Sequence, residues 1–193
     1  MCKKTAHQKV SATLSLCVLA VAFGGTRDAM STIALEVPGI GSIPMELHQA
    51  AAPKAVAELT RLATAGGAAR LHRAEPHPPP GSMGPPYALV QFSIEDGAAF
   101  QAIAHEGNAK IQRGSVCKIG GASDVFISLA KHGEHDGWEA SMTVLGVVPE
   151  PALSELVEQK ILALPRHDFK HPTYGTVMSM LDKELPCRLT LSS

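Results

Sequence analysis

The chain has 193 residues, a formal net charge of −1, 45% hydrophobic residues and 18% charged ones. That profile belongs to a globular protein with a sizeable apolar interior and excludes a disordered or fibrous chain. No long Lys/Arg run and no aromatic platform beside a basic cluster are present, so nucleic-acid binding is not expected.

Residues 1–29 read as a targeting segment. Lys3, Lys4 and Lys9 form a positive start, Ser11 to Phe23 an apolar stretch, and Ala22-Phe23-Gly24 offers small residues at a cleavage position. A membrane-spanning helix needs about 20 apolar residues. This run has 13 and is ended by Thr26, Arg27 and Asp28. A cleaved secretory signal is expected, with a retained signal anchor as the alternative. Either directs the chain into the secretory pathway (endoplasmic reticulum, Golgi or secreted), and membrane contact would come only through a retained leader. Cys2 and Cys17 lie in the leader, leaving Cys117 and Cys187 either as one disulfide or as two buried thiols. Asn108, the single asparagine, is followed by Ala-Lys, so no N-glycosylation acceptor exists.

From Thr32 the pattern is that of strands. Thr32 to Val37 alternates, Pro38-Gly39-Ile40-Gly41 is turn chemistry, and Ser42 to Leu47 resumes an extended run, giving a hairpin. Pro53 opens a helix whose stripe of Ala55, Val56, Leu59, Leu62 and Ala63 fits packing on a core, stopped by Gly66-Gly67. Ala68 to Arg73 reads as a strand, Ala74 to Pro86 as a proline-dense loop, and Tyr87 to Ile94 as a strand. Residues 95–110 read as a surface excursion. Ser115 to Ile119, Val125 to Leu129 and Met142 to Val148 are further strands, and Pro151 to Leu164 is a second helix. Residues 165–185 read as irregular, before a last strand at Arg188 to Ser192. Many short strands, two helices and no βαβ alternation predict a mainly β fold: a closed antiparallel barrel over residues 30–193, capped by two α-helices.

Several segments, in order, resemble the cyclophilins, the β-barrel family of peptidyl-prolyl cis-trans isomerases. Ile43-Pro44-Met45-Glu46-Leu47 with Ala52-Pro53-Lys54 is similar to the family's hairpin strand and helix entry. Leu71-His72-Arg73 resembles its Phe-His-Arg segment, and Ala88-Leu89-Val90-Gln91 its Phe-Met-Ile-Gln run. Asp124-Val125-Phe126-Ile127-Ser128-Leu129 and the stretch from Trp138 to Gly146-Val147-Val148 resemble later signatures. The resemblance is nearest to the plant and green-algal branch that carries a secretory leader. The resemblance implies a cyclophilin-like barrel acting, as a monomer and without cofactor or metal, on proline-containing peptides or proteins. It implies Arg73 and Gln91 as catalytic residues, and Leu89, Phe126, Met142 and Trp138 as substrate-binding residues. The departures lie in the pocket. Met142 stands where the family has a histidine, and Ala88 where it has a phenylalanine that walls the pocket. Phe92-Ser93 replaces two glycines, and Gly120-Gly121 an alanine-asparagine pair.

Turning an X–Pro amide faces a barrier of about 18–20 kcal/mol, set by resonance in the C–N bond. No bond is made or broken, so neither nucleophile nor proton shuttle is needed. An arginine helps by favouring the twisted amide, whose nitrogen gains a lone pair, over the planar one. A glutamine can hold a carbonyl, and an apolar cup the ring. Two rival readings remain. His132 and His135 flank Glu134, but this is not the HExxH order of a zinc hydrolase, and the histidines read as exposed surface residues. A catalytically impaired peptide-binding scaffold on the same fold is the serious alternative.

Overall fold

The computed structural model describes residues 31–81, 85–132 and 140–192. The targeting segment at 1–29 and Trp138 therefore lie outside the described residues. The chain runs β1 (Ser31–Val37), β2 (Gly41–Leu47), α1 (Pro53–Thr64), β3 (Ala68–Glu75) and β4 (Leu89–Ile94). A single helical turn, α2 (Ala98–Gln101), precedes β5 (Ser115–Ile119), β6 (Asp124–Ser128) and β7 (Met142–Val147). A short α3 (Glu150–Ala152) continues as a π-helix over Leu153–Ile161, followed by β8 (Arg166–Lys170) and the long β9 (Val177–Leu191).

All strand pairings are antiparallel, in the order β1-β2-β7-β5-β6-β4-β3-β9-β8, and a further β1–β9 pairing closes the first eight into a barrel. Closure removes the exposed edges that an open sheet would present. Strand β8 hangs outside the closed circuit, as the outer arm of a hairpin with β9.

Side-chain parity explains the two faces of the wall, because successive residues of a strand point to opposite sides. Val90, Phe92 and Ile94 on β4 and Val125 and Ile127 on β6 turn into the barrel, where they join one continuous core with Ile33, Leu35, Met45 and Leu71. Helix α1 adds its expected stripe, with Ala55, Val56, Leu59, Leu62 and Ala63 all buried. Its free N-terminal donors are met from far along the chain: Glu106 accepts from the Lys54 N–H at 3.2 Å and the Ala55 N–H at 2.8 Å. Where β7 crosses β2, Gly146 sits opposite Leu47, and a Cβ there would lie 2.0 Å from the Glu46 carbonyl oxygen. Only glycine allows this approach.

Four expectations need correction. The second long helix is not a plain α-helix. Leu162 N–H donates to Val157 five residues back, and the buried face is Leu153, Val157 and Ile161, every fourth residue. A wider turn keeps that spacing aligned and leaves Leu156 only partly buried. The excursion at 95–110 contains α2, which exists to seat Phe100 in the core. Residues 165–185 are not irregular but form most of the β8–β9 hairpin. Its strands project from the barrel and bury little beyond Leu181, so they lack the alternation that marks a half-buried strand. Finally, His132 is buried, not exposed. Cys117 and Cys187 are free, buried thiols. Burial pushes the Cys187 thiol up to about 11, and that of Cys117 further up.

Candidate functional site

The outer face of the same wall carries a second apolar cluster. Leu89, Ile111, Cys117, Phe126 and Val144 are buried there, with Tyr87, Ile119 and Met142 packed against them. Leu89, Cys117, Phe126 and Val144 have the opposite parity to the core residues of their strands, so one set of strands builds both. The cluster floors a hollow of about 560 Å³ lined by Arg73, Leu89, Gln91, Phe126 and Met142, together with Asp124, Tyr87 and residues of the β8–β9 tip.

Strict alternation from Ala69 and Leu71, both buried, would send Arg73 into the barrel. A β-bulge prevents it. Leu71 pairs with Phe92 and Arg73 with Gln91, so His72 is an extra residue on β3 and the parity flips. Ala74 then turns inward and Arg73 outward.

The guanidinium is held on two sides. Its Nη1 donates to Gln91 Oε1 at 2.9 Å, and its Nε donates to Glu75 Oε1 at 2.9 Å, with Nη2 2.8 Å from the same oxygen. Gln91 and Arg73 thus share one face, and the two are directly bonded. The Gln91 amide also donates from Nε2 to Asp124 at 3.2 Å, and Asp124 accepts from the Ser93 hydroxyl at 2.6 Å. The Arg73 side chain is 12% exposed and that of Glu75 fully buried. A buried carboxylate requires compensation. Besides Arg73, Glu75 accepts from the Tyr87 N–H at 2.6 Å and the Ser179 N–H at 3.2 Å, which ties β3, the entrance to β4, and β9 together. A guanidinium has five N–H donors. Three face Gln91 and Glu75, and the other two have no partner among the described residues.

Two residues expected to shape the pocket do not line it. Ala88 is buried in the barrel core, in a left-handed backbone conformation with φ of 51°. It therefore does not wall the pocket, and its small side chain fits a strained turn. Phe92 is in the core, while Ser93 opens onto a neighbouring polar hollow with Arg70, His72, Glu95 and Glu184. Gly120 and Gly121 also stand outside the lining.

Sequence reasoning missed Glu75, although residues two apart on a strand share a face and Glu75 follows Arg73 by two. It also missed Asp124, Tyr87 and the hairpin residues His171, Tyr174, Thr176 and Met178. His171 read as one of several scattered surface histidines. Among the described residues no group of His, Cys, Asp and Glu side chains is arranged to hold a metal ion.

No family model and no curated protein matches the chain. Solved structures do. A Cryptosporidium parvum cyclophilin type peptidyl-prolyl cis-trans isomerase, solved in the presence of the dipeptide Ala-Pro, has 12% identity and a TM-score of 0.51, with 84% of this chain and 99% of that one covered. A second structure of that enzyme has 12% identity and a TM-score of 0.48 over 85% and 98% of the two chains. A hypothetical protein from Archaeoglobus fulgidus has 10% identity and a TM-score of 0.49 over 87% and 99%. The chain has a cyclophilin-like barrel, and at these identities the likeness is one of fold.

Proposed function

We propose that this protein is a peptidyl-prolyl cis-trans isomerase acting on X–Pro bonds of protein substrates, reaching them through the secretory pathway and working as a monomer. The observation that carries the reading is the bonded Arg73–Gln91 pair above an apolar floor of Leu89, Phe126 and Met142. A proline ring on that floor brings the prolyl nitrogen under the guanidinium. Turning the amide breaks its resonance and leaves a lone pair on nitrogen, which the two uncommitted N–H groups of Arg73 meet. The planar amide offers no such acceptor, so the interaction lowers the barrier without tightening ground-state binding. Gln91 acts twice: its Oε1 fixes the guanidinium, and the second N–H of its Nε2 is left for a substrate carbonyl. No proton moves and no cofactor is required.

A second reading is favoured by one specific feature. Glu75 neutralises the Arg73 charge from within the wall, which weakens the field on the amide nitrogen. A peptide-binding scaffold without catalysis would tolerate this. The test is cis-trans exchange in a short X–Pro peptide, measured with the native chain, Arg73→Ala and Arg73→Lys. The isomerase reading expects acceleration by the native chain and its loss in both variants, because lysine keeps the charge but not the planar fork. Binding without acceleration by the native chain gives the scaffold reading.

A further inference from the structure

We infer that the tip of the β8–β9 hairpin is a second subsite of the hollow and takes an aromatic side chain of the same peptide, a few residues from the proline. This inference rests on the function proposed above. It starts from a mismatch of size. An X–Pro pair in extended form spans about 7 Å. The lining instead crosses neighbouring strands, from Ile119 on β5 through β6, β4 and β3 to Met178 on β9, and then reaches the tip. From Phe126 on β6 to Met178 there are three inter-strand gaps of about 4.8 Å, or roughly 14 Å, which an extended chain covers in about four residues. A proline seated on Leu89 and Phe126 therefore leaves the tip facing a residue two to four positions away.

The tip is built for a ring. His171 and Tyr174 stack with centroids 4.6 Å apart at 27°. The stack is fixed by backbone bonds: the N–H groups of Thr173 and Tyr174 both donate to His171 Nδ1, at 3.2 and 3.3 Å, and His171 and Gly175 close the turn. Tyr174 is nonetheless 78% exposed, so it offers ring surface beyond the part covered by His171. Met178 and Thr176 stand beside it in the lining, and a thioether is a favourable neighbour for an aromatic edge. The chemistry selects a ring over a cation. Among the described residues, the one carboxylate in the lining is Asp124, on β6 at the far side of Arg73 from the tip, and Glu75 behind Arg73 is buried and saturated. Phe169, 41% exposed and edge-on to His171 at 6.5 Å, continues the aromatic surface along β8.

The test uses the full chain and three eight-residue peptides of alanine and serine around one Ala-Pro bond. The first is plain, and the others carry phenylalanine three positions before or three positions after the proline. Calorimetric titration of the native chain should show one phenylalanine peptide binding about 2- to 13-fold tighter than the plain one, the range of a single aromatic pair. Tyr174→Ala should bring that ratio to about one, and Tyr174→Phe should keep it. A ratio of one in the native chain, or the same ratio in Tyr174→Ala, overturns the inference and leaves the proposed function standing. Failure of the plain peptide to bind the native chain overturns both.

Discussion

Two arginines in this barrel, each facing carboxylates, sit in regions with opposite purposes. At the junction of the second long helix with the wall, Arg113 spends both terminal nitrogens on the fold. Nη1 donates to the Leu129 carbonyl at 3.1 Å and to Glu158, and Nη2 to Glu150 at 2.8 Å and Glu158 at 3.0 Å. In the hollow, among the described residues, Arg73 has one carboxylate partner, wholly buried, and two donors left over. The first arrangement closes on itself and fastens a helix. The second fixes the plane of a guanidinium while leaving part of it unsatisfied, which is what a binding site needs and what a purely structural pair avoids.

Substitutions at the two arginines should separate these purposes, and the largest effect is expected at Arg73. Arg73→Ala should lower kcat/KM for a proline peptide by about 100- to 1000-fold, the usual loss for one preorganised donor set. It should also cost roughly 3 kcal/mol in a urea titration, because Glu75 loses its cationic partner. Glu75→Gln comes next. Its amide must set an N–H against either the Arg73 donors or the Tyr87 N–H, so kcat should fall about 10-fold with KM nearly unchanged and stability should drop by about 1–3 kcal/mol. A rise in kcat would instead identify Glu75 as a brake that weakens the guanidinium's field. Arg113→Ala should cost stability and spare the rate. Thermal unfolding should come about 2–8 °C earlier, for a loss of about 1–2 kcal/mol, with the isomerisation rate within about two-fold of native.

The smallest effect is in acid. Hydrogen bonds from Arg113 hold the Glu158 carboxyl below its ordinary value of 4.5, and that of Glu150 likewise. A depressed carboxylate stabilises the fold at every pH above its unfolded value and stops doing so as pH falls through the folded value. Urea titrations of native and Arg113→Ala chains should therefore differ at pH 7, begin to converge below about pH 4.5 and meet only below the folded values. A gap that persists undiminished at pH 3 would mean that Arg113 acts through packing and its bond to Leu129, not through these carboxylates.

The barrel strands and α1 were legible because their patterns are local. Ile33-Leu35-Val37 at period two and Val56-Leu59-Ala63 at helical spacing each meet the core directly. The hairpin was not legible: Arg166-His167-Asp168-Phe169-Lys170 is polar because the strand stands clear of the barrel. Its turn, with Pro172 and Gly175, carried the only local signal. The Leu71-His72-Arg73 and Ala88-Leu89-Val90-Gln91 segments drew attention to Arg73 and Gln91 through resemblance. Ala88 shows the limit of that method, since the same segment places it in the core.

By itself the sequence determined that these strands close on an apolar interior, because alternation and turn residues act over a few neighbours. It held even a trace of the bulge, in the apolar residues Ala69, Leu71 and Ala74, whose spacing breaks period two. Only the tertiary structure decided that the break turns Arg73 outward, that Glu75 is buried against it, and that an aromatic tip reaches the same hollow. Those outcomes depend on which strand lies opposite and in what register, and cross-strand partners are set by the packing of the whole barrel.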